Sequence, residues 1–223
     1  MDGNRRFAKE LDLSWEAGHM FGKEKIKEVL DWCFDLGIHI LTIYAFSTEN
    51  FKRSQKEVRT LMLLLKQELD KAKDDSRIHQ NKVRIRILGR FECLPKDLQQ
   101  SAQSIMDITK KYKTYQLNIA LAYGGREEII QAIQHMGIDI KKGKLKVKDI
   151  SKKTVSSYLY TSGLPDPDLI LRTSGEERIS NFLLWQLAYS ELYFSDVYWP
   201  AFQKRDFLLA IRTYQHRKRR FGK

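Results

Sequence analysis

Cysteine, proline and histidine are scarce in this chain, whose 223 residues include two cysteines, four prolines and five histidines. Cys33 and Cys93 form no CxxC pair and follow no secretory leader, so we expect reduced thiols in a cytoplasmic protein. Long apolar runs are absent too, since none approaches the roughly 18 residues that a membrane span requires. We therefore expect a protein that could touch a bilayer from one side without crossing it.

The motifs of several common cofactor chemistries are also missing. The chain has no GxxxxGK[ST] phosphate loop, no GxGxxG fingerprint, no HExxH pair and no convincing set of zinc ligands. Asp74 and Asp75 have no third acid at the spacing of a DDxxD motif. These absences argue against ATP, nicotinamide and zinc chemistry.

Positive charge is what the chain has in excess, with 40 Lys and Arg against 28 Asp and Glu and a formal net charge of +12. Such a balance favours acidic partners, which include nucleic acid, an anionic membrane surface and phosphorylated small molecules. The chain is 42% hydrophobic and long enough for one sizeable core. We expect a single domain over residues 1–223.

Apolar β-like runs alternate with helical patterns along the chain. The runs that predict strands are 41–46, 83–89, 117–123 and 168–172. The patterns that predict helices are 23–36, 55–73, 96–112 and 126–136. Beyond them we predict a helix over 180–189 and a strand or extended segment over 192–199. The alternation predicts an α/β fold, with a mostly parallel β-sheet flanked by helices.

Polar and arginine-bearing residues follow three of these runs, at the strand ends where open α/β sheets bind ligands. Arg172 closes the last run, Arg178 follows six residues later, and Glu191 lies on the next element. Two fixed guanidiniums near a carboxylate suit a diphosphate that carries a divalent metal, because arginine forks match phosphate oxygens in pairs. At any single strand end, an ordinary polar loop is the alternative interpretation.

The chain opens with a second cluster, Asp2-Gly3-Asn4-Arg5-Arg6. A helix that begins near Asn4 would offer free amides to an anion, and the preceding glycine would allow close approach of its backbone. Asp2 would then hold Mg²⁺ against the phosphate oxygens. Alternatively, Asp2 is an N-cap and the two arginines are solvated.

Two further segments leave alternatives open. In residues 47–53, Ser47 and Asn50 offer polar groups to a ligand, or they form a turn and a helix cap. The helix predicted over 55–73 is apolar on two sides. It is either deeply buried, or it packs one face on the sheet and lines an apolar cavity with another.

Taken together, these residues resemble the cis-prenyltransferase family, the isoprenyl diphosphate synthases that include undecaprenyl diphosphate synthase. The resemblance extends from Met1 to Gly222. The segments that carry it are MDGNRRFAK at 1–9, GH at 18–19, LTIYAFSTENFKRS at 41–54, LNIALAYGGREEI at 117–129 and DPDLILRTSGEERISNFLLWQLAYSELYFSDVYWP at 166–200.

The resemblance implies a (Z)-polyprenyl diphosphate synthase, a transferase that condenses isopentenyl diphosphate units onto an allylic prenyl diphosphate. The product would be a long-chain Z-polyprenyl diphosphate, the precursor of a lipid carrier. The implied fold is a sheet flanked by helices that encloses a hydrophobic tunnel, in a homodimer. Arg220-Phe221-Gly222 would reach the partner subunit's diphosphate site. Mg²⁺ is the implied cofactor, with Asp2 and Glu191 as its ligands.

The resemblance also implies roles for individual residues. Asp2 and Asn50 are the implied catalytic residues, the first in ionisation of the allylic diphosphate and the second at a position often assigned to proton removal. Arg172, Arg178 and Ser180 would hold isopentenyl diphosphate. The other implied substrate-binding residues are Gly3, Asn4, Arg5, Arg6, Phe7, His19, Ser47, Thr48, Glu49, Phe51, Arg53 and Ile179.

The chain departs from the family pattern in two places. Trp15 stands four residues before His19, where the family commonly has an arginine, so the allylic diphosphate would depend more on Arg5 and Arg6. Relatives also have a β-strand immediately upstream of the position of Met1. We expect the natural start to lie upstream of this residue.

Two other functions are alternatives. A non-catalytic subunit of a prenyltransferase heteromer would typically lack the metal aspartate and the paired arginines, all of which are present here. A basic RNA-binding protein would need exposed aromatic residues in its basic tail, where only Tyr214 and Phe221 occur. We therefore expect no nucleic acid partner. The allylic primer (dimethylallyl, farnesyl or geranylgeranyl diphosphate), the product length and the downstream pathway are left open by the sequence.

Overall fold

The structure, a computed structural model, describes residues 1–217, so the predicted role of Arg220-Phe221-Gly222 lies outside the described residues. The chain forms two compact units that interleave along the sequence. The first unit contains Met1–Ile38, Asp166–Ser180 and the residues from Leu184 onward. The second contains His39–Pro165 and Asn181–Leu183. The single domain expected from the sequence stays a prediction.

The second unit is built on a three-stranded parallel sheet. Its strands, in the spatial order β1-β3-β2, are β1 (Ile40–Ser47), β2 (Val83–Leu88) and β3 (Tyr115–Tyr123). All seven residues of 117–123 in the central strand are buried. A parallel strand covered on both faces has apolar residues in succession, which is why the apolar run 117–123 predicted it.

Five helices accompany this sheet within the described part of the second unit: α3 (Gln55–Ala72), α4 (Ser76–Gln80), α5 (Lys96–Thr109), α6 (Gly125–Lys141) and α7 (Lys152–Tyr158). Helix α3 packs on α5, and α5 packs on β2. The alternative of a deeply buried α3 is wrong, because Leu61, Met62 and Leu69 are buried whereas Leu63 is 54% exposed. A cavity lined by this helix stays a prediction, as does the tunnel.

The first unit contains α1 (Asn4–Glu10), α2 (Trp15–Asp35), β4 (Leu169–Arg172), β5 (Glu191–Phe194) and α8 (Lys204–His216). Strands β4 and β5 pair in parallel as a separate two-stranded sheet, so the predicted strand 168–172 is not hydrogen-bonded into the three-stranded sheet. The core of this unit is aromatic: the ring centroid of Trp32 lies 6.4 Å from that of Phe202 and 5.9 Å from that of Phe207. Cys33 is buried and, like Cys93, is a free thiol.

Two glycines on α2 let α1 approach it closely. A Cβ added at Gly18 would lie 2.1 Å from the backbone oxygen of Asn4, and one at Gly22 would lie 2.1 Å from Asn4 Oδ1. Both separations are far below van der Waals contact. The Gly18-x-x-x-Gly22 spacing places both glycines on one face of α2, and this face determines where the first residues of α1 lie.

The prediction of a helix over residues 180–189 is wrong. Ser180, Asn181 and Leu183 adopt positive φ angles of 46°, 62° and 47°, which a right-handed helix cannot contain. Only a short 3₁₀ helix, Gln186–Tyr189, forms in this stretch. The remaining predicted helices and strands are present with shifted ends, and the largest shift is at α2, which begins at Trp15 rather than at residue 23.

Three α-helices of the described residues were missed, namely α4, α7 and α8. The last of these carried a readable signal, because its buried residues Phe207 and Ala210 lie three positions apart, on one face of a helix. In the structure, Gln203 and Asp206 form a capping box at its start. Among the helices of residues 1–217, none is long and apolar enough to cross a bilayer.

Candidate functional site

Asp2, the predicted metal ligand, lies in the first unit beside the carboxyl end of β4. Its Oδ2 accepts a hydrogen bond from Arg172 Nη2 at 2.7 Å, and its Oδ1 accepts one from the Gly3 amide at 2.8 Å. Its backbone is also fixed: the amide donates to Thr173 Oγ1 at 3.0 Å, and the carbonyl accepts from the Trp199 amide at 2.9 Å. Asp2 and Arg172 are 170 residues apart in sequence, and the structure places them in contact.

The environment of Asp2 keeps its carboxylate charged. Burial by itself raises the pKa of Asp2, but the hydrogen bonds from Arg172 and Gly3 and the charge of Arg172 outweigh it. The pKa of Asp2 therefore lies below its ordinary value of 3.8. The carboxylate is therefore ionised at neutral pH, and because the side chain is 39% exposed, it is also accessible to a cation.

This carboxylate fits Mg²⁺, which is typically bound by one or two protein carboxylates together with phosphate oxygens of a substrate. In the described range 1–217, no group of three or more His, Cys, Asp and Glu side chains could hold a metal ion. The residues present therefore suit a magnesium ion shared between Asp2 and a diphosphate. They do not suit a metal held entirely by protein ligands.

Glu191, the second predicted metal ligand, is not brought to Asp2. It pairs with Leu169 at the start of the two-stranded sheet, whereas Arg172 pairs with Phe194 at its carboxyl end. Three residues at about 3.3 Å each separate the two positions by about 10 Å along the strand. Glu191 Oε2 instead accepts a hydrogen bond from Arg217 Nη1 at 2.8 Å. Metal binding by Glu191 stays a prediction, without support from this arrangement within one chain.

The structure places the arginines that were predicted to bind the two substrates in one cluster. Glu176 Oε1 lies 2.9 Å from Arg6 Nη1, and its Oε2 lies 2.5 Å from Arg178 Nη1. Arg172 Nη1 donates to Ser180 Oγ at 2.8 Å and to the carbonyl of Arg178. Glu176 was missed from the sequence, although an acid two residues before Arg178 was a readable signal.

The opening helix begins at Asn4, as the sequence predicted. Its N-cap is Gly3, with φ of 96° and no side-chain cap, so the alternative that Asp2 serves as the N-cap is wrong. A Cβ on Gly3 would lie 2.6 Å from Tyr198 Cδ1, so only glycine fits there. The alternative of merely solvated arginines is also wrong for Arg6, whose Nη2 donates to Ser174 Oγ at 2.6 Å.

The remaining predicted residues of the first unit lie on or near α1 and α2. Arg5 is exposed and Asn4 is half-buried. The rings of Phe7 and Phe21 meet edge to face at 5.8 Å, and those of Trp15 and His19 do so at the same distance. Trp15, in the place of the family arginine, therefore packs against His19 with an aromatic edge.

Residues 47–53, in the second unit, are engaged in local contacts. The Ser47 amide donates to Asn50 Oδ1 at 3.0 Å in a capping box, which confirms the interpretation of Ser47 and Asn50 as a turn and helix cap. Thr48 Oγ1 donates to Glu49 Oε2 at 3.2 Å, and Arg53 pairs with the buried Glu57 at 2.9 Å. The ring of Phe51, which is 37% exposed, meets that of Phe46. Substrate binding by this segment, and catalysis by Asn50, stay predictions.

Asn181 is a second residue that sequence reasoning missed. Its Nδ2 donates to Glu49 Oε1 at 2.9 Å and to Glu127 Oε2 at 3.1 Å, while its Oδ1 accepts from the Arg126 amide at 2.9 Å. Its backbone carbonyl accepts from the Gly125 amide at 2.7 Å. These contacts join the end of β1 to the start of α6, and they explain why the chain leaves helical geometry here.

A family model and a curated relative match the chain over its length. The model described as "Putative undecaprenyl diphosphate synthase" matches residues 1–222. A tritrans,polycis-undecaprenyl-diphosphate synthase (geranylgeranyl-diphosphate specific) from Pyrococcus abyssi is 52% identical over 223 residues, which are 100% of this chain and 84% of that relative.

Two solved structures are similar to the chain, each with 34% sequence identity. Lavandulyl diphosphate synthase from Lavandula x intermedia, in complex with dimethylallyl diphosphate, gives a TM-score of 0.95 over 100% of this chain and 95% of that one. A probable undecaprenyl diphosphate synthase from Campylobacter jejuni gives a TM-score of 0.79 over 92% of this chain and 93% of that one.

Proposed function

Because this chain belongs to the undecaprenyl diphosphate synthase family, the cis-prenyltransferases, we propose that its allylic substrate is geranylgeranyl diphosphate. The chain is a prenyltransferase that elongates a prenyl diphosphate, and each unit that it adds contains a cis double bond. The choice of primer rests on the Pyrococcus abyssi relative, whose name specifies geranylgeranyl diphosphate. By the same reasoning, the product is a tritrans,polycis-undecaprenyl diphosphate.

The contact between Asp2 and Arg172 is the observation that carries the proposed site. It supports a reaction centre where a carboxylate able to hold a cation adjoins a guanidinium able to hold a diphosphate. In our proposal, Arg172, Arg178 and Ser180 bind isopentenyl diphosphate. The allylic diphosphate lies against Asp2 and the first turn of α1.

The residues of this centre have separable tasks in the proposed reaction. Mg²⁺ bound at Asp2 would supply positive charge to the departing diphosphate. Arg6 stabilises the negative charge that develops on that diphosphate as the carbon–oxygen bond breaks. Arg172 and Arg178 orient isopentenyl diphosphate, so that its double bond faces the allylic carbon. The arginines thus contribute both charge and position.

We propose that two copies of this chain act together, with the Arg220-Phe221-Gly222 segment of one copy completing the diphosphate site of the other. The family resemblance supports this arrangement, and so does the excess of positive charge, since a basic segment suits a diphosphate. We also propose that the protein contacts a membrane surface peripherally, because the proposed product carries a long hydrocarbon chain.

The test of the primer is an incubation with radiolabelled isopentenyl diphosphate, Mg²⁺ and one primer at a time, followed by chromatography of the extracted lipids. We expect kcat/KM with geranylgeranyl diphosphate to exceed the values with dimethylallyl and farnesyl diphosphate by at least about tenfold, a difference of about 1.4 kcal/mol in transition-state binding. A preference for either shorter primer would refute the proposed substrate and leave the family assignment intact.

A further inference from the structure

One carboxylate, Glu176, lies between two guanidiniums that the proposed function assigns to different substrates. Arg6 approaches Oε1 at 2.9 Å and Arg178 approaches Oε2 at 2.5 Å, so each arginine uses its own oxygen. The side chain of Glu176 is 24% exposed, whereas those of Arg6 and Arg178 are 45% and 61% exposed. The carboxylate is therefore the most enclosed member of the three.

The backbone beside Glu176 is held by a tight turn. Ser174 and Gly175 have positive φ angles of 76° and 69°, and their amides donate to the carbonyls of Val197 and Ser195, each at 2.9 Å. Ser174 Oγ also accepts a hydrogen bond from Arg6 Nη2 at 2.6 Å. This turn is anchored to the segment that follows β5, so the backbone at Glu176 is restrained, and the carboxylate itself is held by its two ion pairs.

Arginine side chains are long and lose rotamer freedom when they bind a ligand. An ion pair with a fixed carboxylate restricts that freedom before the ligand arrives, so less is lost on binding. Isolated surface ion pairs contribute little to the stability of a protein, so stability is a weak reason for this arrangement. Orientation of two ligand-binding guanidiniums at a set separation is a better one.

We propose that Glu176 is a positioning residue that orients Arg6 for the allylic diphosphate and Arg178 for isopentenyl diphosphate. The inference rests on the proposed function, because that function assigns the two arginines to the two substrates. Glu176 contacts neither substrate and acts through the arginines alone. Its loss therefore affects the binding of both substrates together.

The experiment compares the Glu176→Gln variant with the wild-type chain, with KM measured separately for isopentenyl diphosphate and geranylgeranyl diphosphate. The glutamine keeps the shape and removes the charge, so we expect both KM values to rise about tenfold while kcat falls less than threefold. Glu176→Asp keeps the charge on a shorter side chain and should restore part of the affinity. The control is Glu177→Gln, which removes the same charge from the exposed neighbouring residue and should shift neither KM more than about twofold.

A double-variant cycle tests whether Glu176 acts through Arg178. In the Glu176→Gln/Arg178→Gln variant, we expect the KM for isopentenyl diphosphate to equal that of Arg178→Gln alone, since a positioning residue has no effect once its partner is gone. Full additivity of the two changes would overturn the inference. A lower KM in Glu176→Gln would also overturn it, since the carboxylate would then compete with the substrates for the arginines.

The outcomes separate this inference from the proposed function. Turnover by the wild-type chain tests the function, and the difference between variants tests the role of Glu176. If the wild type turns over and Glu176→Gln keeps both KM values, the inference fails and the proposed function stands. If the wild type gives no labelled lipid with any primer, the proposed function fails, and the inference falls with its premise.

Discussion

At the scale of single residues, the site depends on charges that hold one another in place. Asp2 bonds Arg172, and Glu176 pairs with both Arg6 and Arg178. Each predicted ligand-binding guanidinium in this set thus has a fixed acidic partner. Such partners limit the motion of long side chains, so the residues are oriented before a substrate arrives.

Replacement of Asp2 by asparagine tests the assigned carboxylate. The amide has nearly the same shape and can still accept the Gly3 hydrogen bond, but it carries no charge for Mg²⁺ or for Arg172. The pKa of Asp2 is lowered, so its carboxylate keeps its charge until the pH falls through that lowered pKa. An assay at pH 7.5 therefore compares a charged aspartate with a neutral asparagine. We expect kcat to fall at least about 100-fold, measured by incorporation of labelled isopentenyl diphosphate.

Asp12→Asn is the matched control for this change. Asp12 is exposed and has a positive φ of 53°, which asparagine tolerates well. We expect wild-type turnover from this variant. Wild-type turnover from Asp2→Asn, in contrast, would remove Asp2 from the proposed reaction.

At the scale of elements, the approach of α1 to α2 determines where the first residues of α1 lie. Asn4 Oδ1 occupies the space that a side chain at Gly22 would need, and the Trp199 indole donates to the Gly22 carbonyl at 2.7 Å. The start of α1 is therefore placed by a contact that a larger side chain at residue 22 would disrupt.

Gly22→Ala should displace Asn4 and the start of α1, because the new methyl group would meet Asn4 Oδ1 at 2.1 Å. We expect a loss of about 1–3 kcal/mol in the free energy of unfolding, measured by urea denaturation, and a several-fold rise in the KM of the allylic substrate. Gly137→Ala is the control, since no atom lies within 4 Å of a Cβ there. Within α6 that change should stabilise the protein by about 0.5–1 kcal/mol. Equal effects of the two substitutions would contradict the close α1–α2 contact.

At the scale of the whole molecule, the proposed dimer makes a prediction that a monomer cannot satisfy. If the Arg220-Phe221-Gly222 segment of one copy completes the partner's site, two differently defective chains can complement each other. A mixed dimer of Asp2→Asn with Gly222→Ala would contain one site with both an intact Asp2 and an intact partner segment.

We expect this mixed dimer, purified through two different affinity tags, to regain roughly half of the wild-type turnover, because one of its two sites is intact. Both parent homodimers should be much less active in the same assay. Activity of the mixed dimer no greater than the mean of its parents would show that each chain uses its own segment. The wild-type dimer carrying both tags is the control for the purification.

The sequence by itself determined the α/β class, because buried parallel strands such as 117–123 must be apolar throughout and amphipathic helices repeat their apolar residues at a regular spacing. It also pointed to Asp2, Arg172 and Arg178, since diphosphate and Mg²⁺ chemistry needs these residue types. The local sequence did not determine the backbone geometry of residues 180–189. That geometry depends on hydrogen bonds between Asn181 and residues more than 50 positions away.

Only the tertiary structure decided which of these groups meet. It joined Asp2 to Arg172 across 170 residues, placed Glu176 between two arginines, and left Glu191 bonded to Arg217. Local sequence patterns report which face of an element is buried and which side chains carry charge. Contacts between distant segments depend on how whole elements pack, and the spacing of residues along the chain does not predict them.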